Sequence, residues 1–183
     1  MPAALLLMDF QVGVVERFGS TEVLHRAREA LDAARSGGVP VVFARVGFRD
    51  ATPEVSVRNK SFSALAGQTG TAEDSPATQV VAELEPLASE LIVVKRRVSA
   101  FTGSDLEIVL RASDIDHLVL SGIATSGVVL STVRQAADRD YRLTVLSDAC
   151  ADRDAEVHRV LTEKVFPRQA DVVTVAEWVS GLG

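Results

Sequence analysis

An α/β fold, a three-layer sandwich with a six-stranded, mostly parallel, Rossmann-like sheet flanked by helices, is predicted by three observations. Six short apolar runs recur along the chain, each is followed by a helix-compatible stretch, and the runs lack polar alternation. Strands buried on both faces read this way, and repeated strand–helix alternation gives parallel pairing through crossovers. The predicted strands are Ala3–Met8, Val39–Val46, Leu91–Val94, His117–Ser121, Leu143–Leu146 and Asp171–Val173. The predicted helices are Glu22–Arg35, Ala77–Leu87, Leu106–Ala112, Val128–Asp138, Ala155–Lys164 and Ala176–Leu182. In the fourth, Val129, Val133, Ala136 and Ala137 share one face, while Arg134, Gln135 and Asp138 take the other. Gly37 and Gly38 stop the first helix and Pro40 opens the second strand.

One stretch breaks the rhythm. Gly47–Ser75 holds Gly47, Gly67 and Gly70, with Pro53 inside it and Pro76 just beyond, among many Ser, Thr and charged residues. A loop of that length in a compact domain is typically a lid or a crossing, here with local helix expected around Ser61–Ala66.

The 183 residues predict one domain over 1–183, and 47% hydrophobic with 24% charged residues is a core-forming composition. With 19 Lys and Arg against 25 Asp and Glu, a net charge of −6 leaves no footprint for nucleic acid or an anionic membrane. No apolar run approaches the roughly 20 residues of a membrane span. Met1–Met8 lacks the basic end of a signal peptide, so a cytoplasmic setting is expected. A lone cysteine excludes an internal disulfide and a thiolate metal site. Neither a Gly-x-Gly-x-x-Gly nor a P-loop pattern occurs, so no nucleotide cofactor is expected.

Ligands of open α/β sheets bind outside the carboxyl ends of the strands, so the polar residues after each apolar run are the informative ones. Asp9 and Gln11 follow the first strand and Lys95 the third. Ser121–Gly127 follows the fourth and leads straight into a helix, and Ser147-Asp148 follow the fifth. An aspartate there also serves as a plain cap, a lysine as a solvated charge, and the small-residue turn as a tight connection. Together they describe a proton-transfer pair beside oriented backbone N–H donors, which suit an anion or an oxyanion.

These residues carry a family resemblance. Leu6-Leu7-Met8-Asp9-Phe10-Gln11 resembles the opening of the isochorismatase-like hydrolases, a group that includes nicotinamidases and carbamoylsarcosine hydrolases. Val94-Lys95 through Ser99-Ala100-Phe101 is similar to their second motif, and Gly122-Ile123-Ala124-Thr125 with Val129, Ser131-Thr132 and Ala136 to the third. Asp148-Ala149-Cys150-Ala151 resembles the segment after their fifth strand. The resemblance implies homo-oligomers, Asp9 as acid/base, Lys95 as its charge partner, and a cis Ile123–Ala124 peptide. It places the usual cysteine nucleophile on Val128. Valine has neither lone pair nor ionisable proton, so a covalent route through residue 128 is closed.

Cys150 follows a different strand and reads as a small buried hydrophobe. Ser126, Thr125 and Ser131 are nearby hydroxyls without an evident His–carboxylate relay. His25, His117 and His158 fall on or beside predicted helices and lack metal-ligand spacing, so no metal is expected. Isochorismatases in the group also lack the cysteine, typically with Gly there, and the resemblance implies protonation of an enol-ether carbon by Asp9. Backbone at Ala124, Thr125, Gly127 and Val128 is the expected anion or oxyanion site. Phe10, Gln11, Arg45 and Phe101 are expected around the substrate, each with a structural alternative. The function expected is therefore a cysteine-independent hydrolase of a small polar or anionic metabolite. The alternative is a catalytically silent member that binds a metabolite or a partner protein.

Overall fold

A computed structural model describes residues 2–182 except Ser20, Ala66, Gly67 and Thr69. Gly67 of the long excursion and Ala66 at the end of its expected helix therefore lie outside the described residues. Six strands form one all-parallel sheet: β1 Ala3–Met8, β2 Val41–Val46, β3 Leu91–Lys95, β4 His117–Ile123, β5 Arg142–Ala151 and β6 Asp171–Val173. Their order is β3-β2-β1-β4-β5-β6. The chain thus winds outward in one direction from β1 and in the other from β4. The seam between these two strands is the topological switch point, where α/β sheets open a crevice for ligands.

The helices are α1 Val12–Phe18, α2 Thr21–Ser36, α3 Leu106–Ala112, α4 Leu130–Ala137, α5 Ala155–Val160 and α6 Val175–Ser180. Strand alternation divides the core. Leu5, Leu7, Val41, Phe43 and Val119 pack against the apolar faces of α2 and α6. Ala4, Leu6, Met8, Leu118 and Leu120 pack on the other face against α3 and α4. The sheet is buried on both sides, which is why its strands show no polar alternation.

Three elements depart from the sequence reading. The expected helix Ala77–Leu87 is two single 3-10 turns, Pro76–Thr78 and Ala82–Leu84. Its backbone is drawn into pairing with the segment after β1, since Val12 N–H donates to Gln79 O and Val81 N–H to Phe10 O. α1 was not expected. Val12, Val15 and Phe18 recur at helical spacing and pack on the α2 side of the core, and Gly19, at φ 63°, caps the helix by donating to Val15 O. β5 runs well past Leu146. Leu120 pairs with Val145 but Gly122 with Cys150, so β5 carries extra residues in a bulge and Ser147 and Asp148 lie inside the strand.

The excursion after β2 is tied back to the sheet end. Phe48 bridges Ala72, Arg96 bonds Gly47 O and Glu73, and Arg97 donates to Glu54 O while its guanidinium lies 5.7 Å from the Phe62 ring centre.

Candidate active site

Strand register lays the rim out in rows. Met8 lies level with Ala44 and Gly122, and Gly122 with Cys150. One step on, Val94 lies level with Arg45 and Ile123 with Ala151, and one further Lys95 lies level with Val46; Asp9, Ala124 and Asp152 are the residues that directly follow β1, β4 and β5. Gly122 is required at the seam, because a Cβ there would stand 2.7 Å from Met8 O. The β1 and β4 backbones approach this closely just below Asp9 and Ala124.

Asp9 has φ 59°, in the left-handed region that few non-glycine residues enter, while its N–H donates to Ala44 O. Its Oδ2 lies 2.9 Å from Lys95 Nζ, and Lys95, with a side chain only 2% exposed, also donates to Arg97 O at 3.1 Å. Asp9 Oδ1 is buried with no hydrogen-bond partner among the described residues. Burial raises the Asp9 carboxyl above its ordinary range, and Lys95 opposes this only in part. The site therefore holds a carboxyl group biased toward its protonated form, with one oxygen free for a reacting partner.

Across the seam, the Ile123–Ala124 peptide is cis. A π-helical turn, Thr125–Val129, then leads into α4, with Gly127 at non-helical dihedrals and its N–H donating to Ala124 O. Thr125 is fully buried, and its Oγ1 lies 2.8 Å from His158 Nδ1. Ser126 N–H donates to Asp152 Oδ2 at 2.7 Å. Desolvation pushes the Asp152 carboxyl up, but hydrogen bonds from the Ser126 side chain and from backbone N–H groups outweigh it and hold the carboxyl below its ordinary range, so it is ionised at neutral pH. Burial lowers His158, which is neutral there.

The expectation that no histidine stands by the hydroxyls of the turn is therefore corrected. His117 opens β4 and bonds Thr144, and His158 reaches the turn from α5. No sequence signal links residue 158 to residue 125, because only packing of α5 against the turn brings them together. Asp152 was missed for the same reason, being delivered to the rim by the β5 bulge.

Val128 is the fourth residue of the turn and is 2% exposed. Cys150 is a core residue whose thiol burial pushes up to about 12, which leaves no thiolate at neutral pH. The four expected pocket residues also make scaffold contacts, and of them Gln11 stands in the wall of a cavity. Phe10 packs in the α2 side of the core. Phe101 lies beside Tyr141 and under Arg139. The Gln11 amide is spent on Val46 N–H, Val46 O and Thr78 O. Arg45 donates to Glu73 O and Thr78 O. Asp148 accepts from Val175 N–H at the start of α6, a capping role. A cavity of about 130 Å³ opens beside Gln11, with Val14 and Arg17 from α1 and Phe48, Leu65 and Thr71 from the excursion in its wall. Among the described residues no cluster of three potential metal ligands occurs, and no helix is long and apolar enough to cross a membrane.

Residues 3–177 match the isochorismatase domain. The chain belongs to the isochorismatase family. An uncharacterized isochorismatase family protein of Escherichia coli is 32% identical over 98% of this chain and 95% of its own length. A ureidoacrylate amidohydrolase of Stutzerimonas stutzeri is 30% identical over 98% of this chain and 79% of its own. A cysteine hydrolase from Pseudomonas syringae superposes with a TM-score of 0.91 at 25% identity, covering 98% of this chain and 92% of that one. Isochorismatase family members are hydrolases, and this chain shares their parallel α/β sandwich along its length.

Proposed function

We propose that this isochorismatase-family chain hydrolyses a small polar or anionic metabolite without a cysteine nucleophile, with Asp9 as acid/base and Lys95 as its charge partner. The observation that carries the reading is the Asp9 carboxyl at the switch point, raised by burial and holding an unpartnered Oδ1. For a vinyl ether, protonated Asp9 gives its proton to the enol-ether carbon and leaves an oxocarbenium ion. Water adds to that ion, its proton returns to Asp9, and the hemiketal collapses to a carbonyl compound and an alcohol. Lys95 holds the carboxylate through the charged stage. The excursion over residues 47–75 covers the cavity beside Gln11, a role its wall residues Phe48, Leu65 and Thr71 support.

A second reading, a silent family member that binds a metabolite or a partner protein, draws on the sealed Val128 at the position of the lost nucleophile. Product formation from isochorismate and a panel of small vinyl ethers and amides separates the two, comparing wild type with folded Asp9→Asn. Turnover in wild type that falls about 10²–10⁴-fold in the variant supports acid/base catalysis. Turnover indifferent to the substitution overturns acid/base catalysis by Asp9, and absence of turnover across the whole panel favours the silent reading.

A further inference from the structure

We infer that Arg97 is a positioning residue for the Asp9–Lys95 pair: by gripping the excursion after β2 it fixes its own carbonyl, and that carbonyl holds the Lys95 ammonium against Asp9. The inference rests on the acid/base reading of the pair and adds the element that sets its geometry. Lys95 ends β3 and carries its charge on a flexible four-carbon stem, so strand register fixes its Cα but not its Nζ. Nζ lies 2.9 Å from Asp9 Oδ2 and donates to Arg97 O at 3.1 Å. Among the described residues these are its two partners, and the side chain is otherwise sealed at 2% exposure.

Arg97 stands beyond the strand, where no ladder orients its peptide. Its carbonyl has no donor besides Lys95 among the described residues, so the side chain supplies the hold. The guanidinium donates to Glu54 O at 2.7 Å and to Arg96 O at 2.6 Å, and it lies 5.7 Å from the Phe62 ring centre. Among the described residues no carboxylate stands within ion-pair distance of it, since the Glu54 carboxylate is taken by Arg49 and Arg96. The grip is therefore directional, a planar fork on two carbonyls beside an aromatic face. Glu54 and Phe62 both belong to the segment between β2 and β3. Contacts thus run unbroken from the excursion to Arg97, from Arg97 O to Lys95, and from Lys95 to Asp9. If residue 97 swings away, Nζ loses its second anchor and spends less time at Asp9 Oδ2. Burial then acts on the Asp9 carboxyl with less opposition.

The test reads the pair without turnover. The Asp9 ¹³Cγ resonance of carboxyl-labelled protein, assigned by its loss in Asp9→Asn, is followed against pH. Arg97→Ala should raise the Asp9 titration midpoint, its proton affinity growing about three- to tenfold. Arg97→Lys and Phe62→Ala both keep the charge at residue 97 while losing the fork or the ring. They should raise the midpoint in the same direction by less, which separates geometry from a plain loss of charge and serves equally if Arg97→Ala does not fold. Val172→Ala lies on β6, at the opposite edge of the sheet from β3, and provides a destabilised reference. Its midpoint should match wild type. A rise in Arg97→Lys or Phe62→Ala with none in Val172→Ala supports the proposal. No rise in either of those two folded variants, or an equal rise in Val172→Ala, overturns it. Failure of the hydrolase reading is visible separately, as turnover indifferent to Asp9→Asn.

Discussion

Two aspartates stand on the same rim, and their surroundings give them opposite protonation tendencies. Asp9 on the β1 side is buried, has one oxygen on Lys95 and the other unpartnered, and is raised toward its neutral form. Asp152 on the β5 side is half-buried, takes backbone N–H groups and is lowered into its ionised form. Desolvation acts on both. On Asp9 it outweighs a single ammonium, whereas on Asp152 hydrogen bonds to the charged form outweigh it. A carboxyl group biased toward its neutral form and one held as a charge are thus distinguished by environment alone.

The comparison breaks most severely at Lys95. Lys95→Ala leaves the Asp9 carboxylate buried without a partner and should cost about 3–5 kcal/mol at neutral pH, measured by urea denaturation. The sign of its pH dependence is set by Asp9. Loss of the ammonium raises the folded Asp9 value further above the unfolded one of about 3.9. The native state then holds the extra proton, so that contribution to stability is full below the unfolded value and is lost as pH rises through the folded one. The variant should become steadily less stable with rising pH across that window, more steeply than wild type. An unchanged midpoint in Lys95→Ala would place the pair in solvent.

Gly122→Ala strikes the seam between the two aspartates. Its new Cβ would meet Met8 O at 2.7 Å and Met8 Cβ at 2.9 Å, so β1 and β4 must separate, at about 1–3 kcal/mol. Calorimetric melting of the variant checks this. A smaller loss, about 1 kcal/mol, is expected for His158→Phe, which removes the partner of the Thr125 hydroxyl. His158→Asn can keep that bond through its side-chain amide. The folded value of His158 is lowered, so its contribution is present above the unfolded value of about 6.5 and is lost as pH falls through the folded one. That acid-side slope should vanish in His158→Asn. The smallest effect is at Cys150, which should resist Ellman's reagent in the folded protein and react after unfolding, since its thiol is buried and pushed up to about 12.

Much of this architecture was legible beforehand. The span Leu106–Ala112 was read to the residue, and all six strands were placed, because buried parallel strands and amphipathic helices write their periods into local sequence. Asp9 and Lys95 were legible as polar residues closing apolar runs. Residues 77–87 misled, since their helical period lost to backbone pairing with residues 10–12, a contact invisible in a local window. Gln11 and Arg45 were read as substrate contacts because they stand at strand ends. Gln11 is bonded to the end of β2 and, like Arg45, to the segment between β2 and β3, whose path the sequence does not encode locally.

The sequence by itself determined the parallel sandwich, the strand-end positions of Asp9 and Lys95, and the valine at position 128, because strand period, strand-end chemistry and residue identity are local properties. Only the tertiary structure decided the direction of each aspartate's pKa, the commitment of Ser126 N–H to Asp152, and the union of Thr125 with His158. Burial and hydrogen-bond partnership depend on residues distant in sequence, and the bulge in β5 and the packing of α5 bring those residues to the rim.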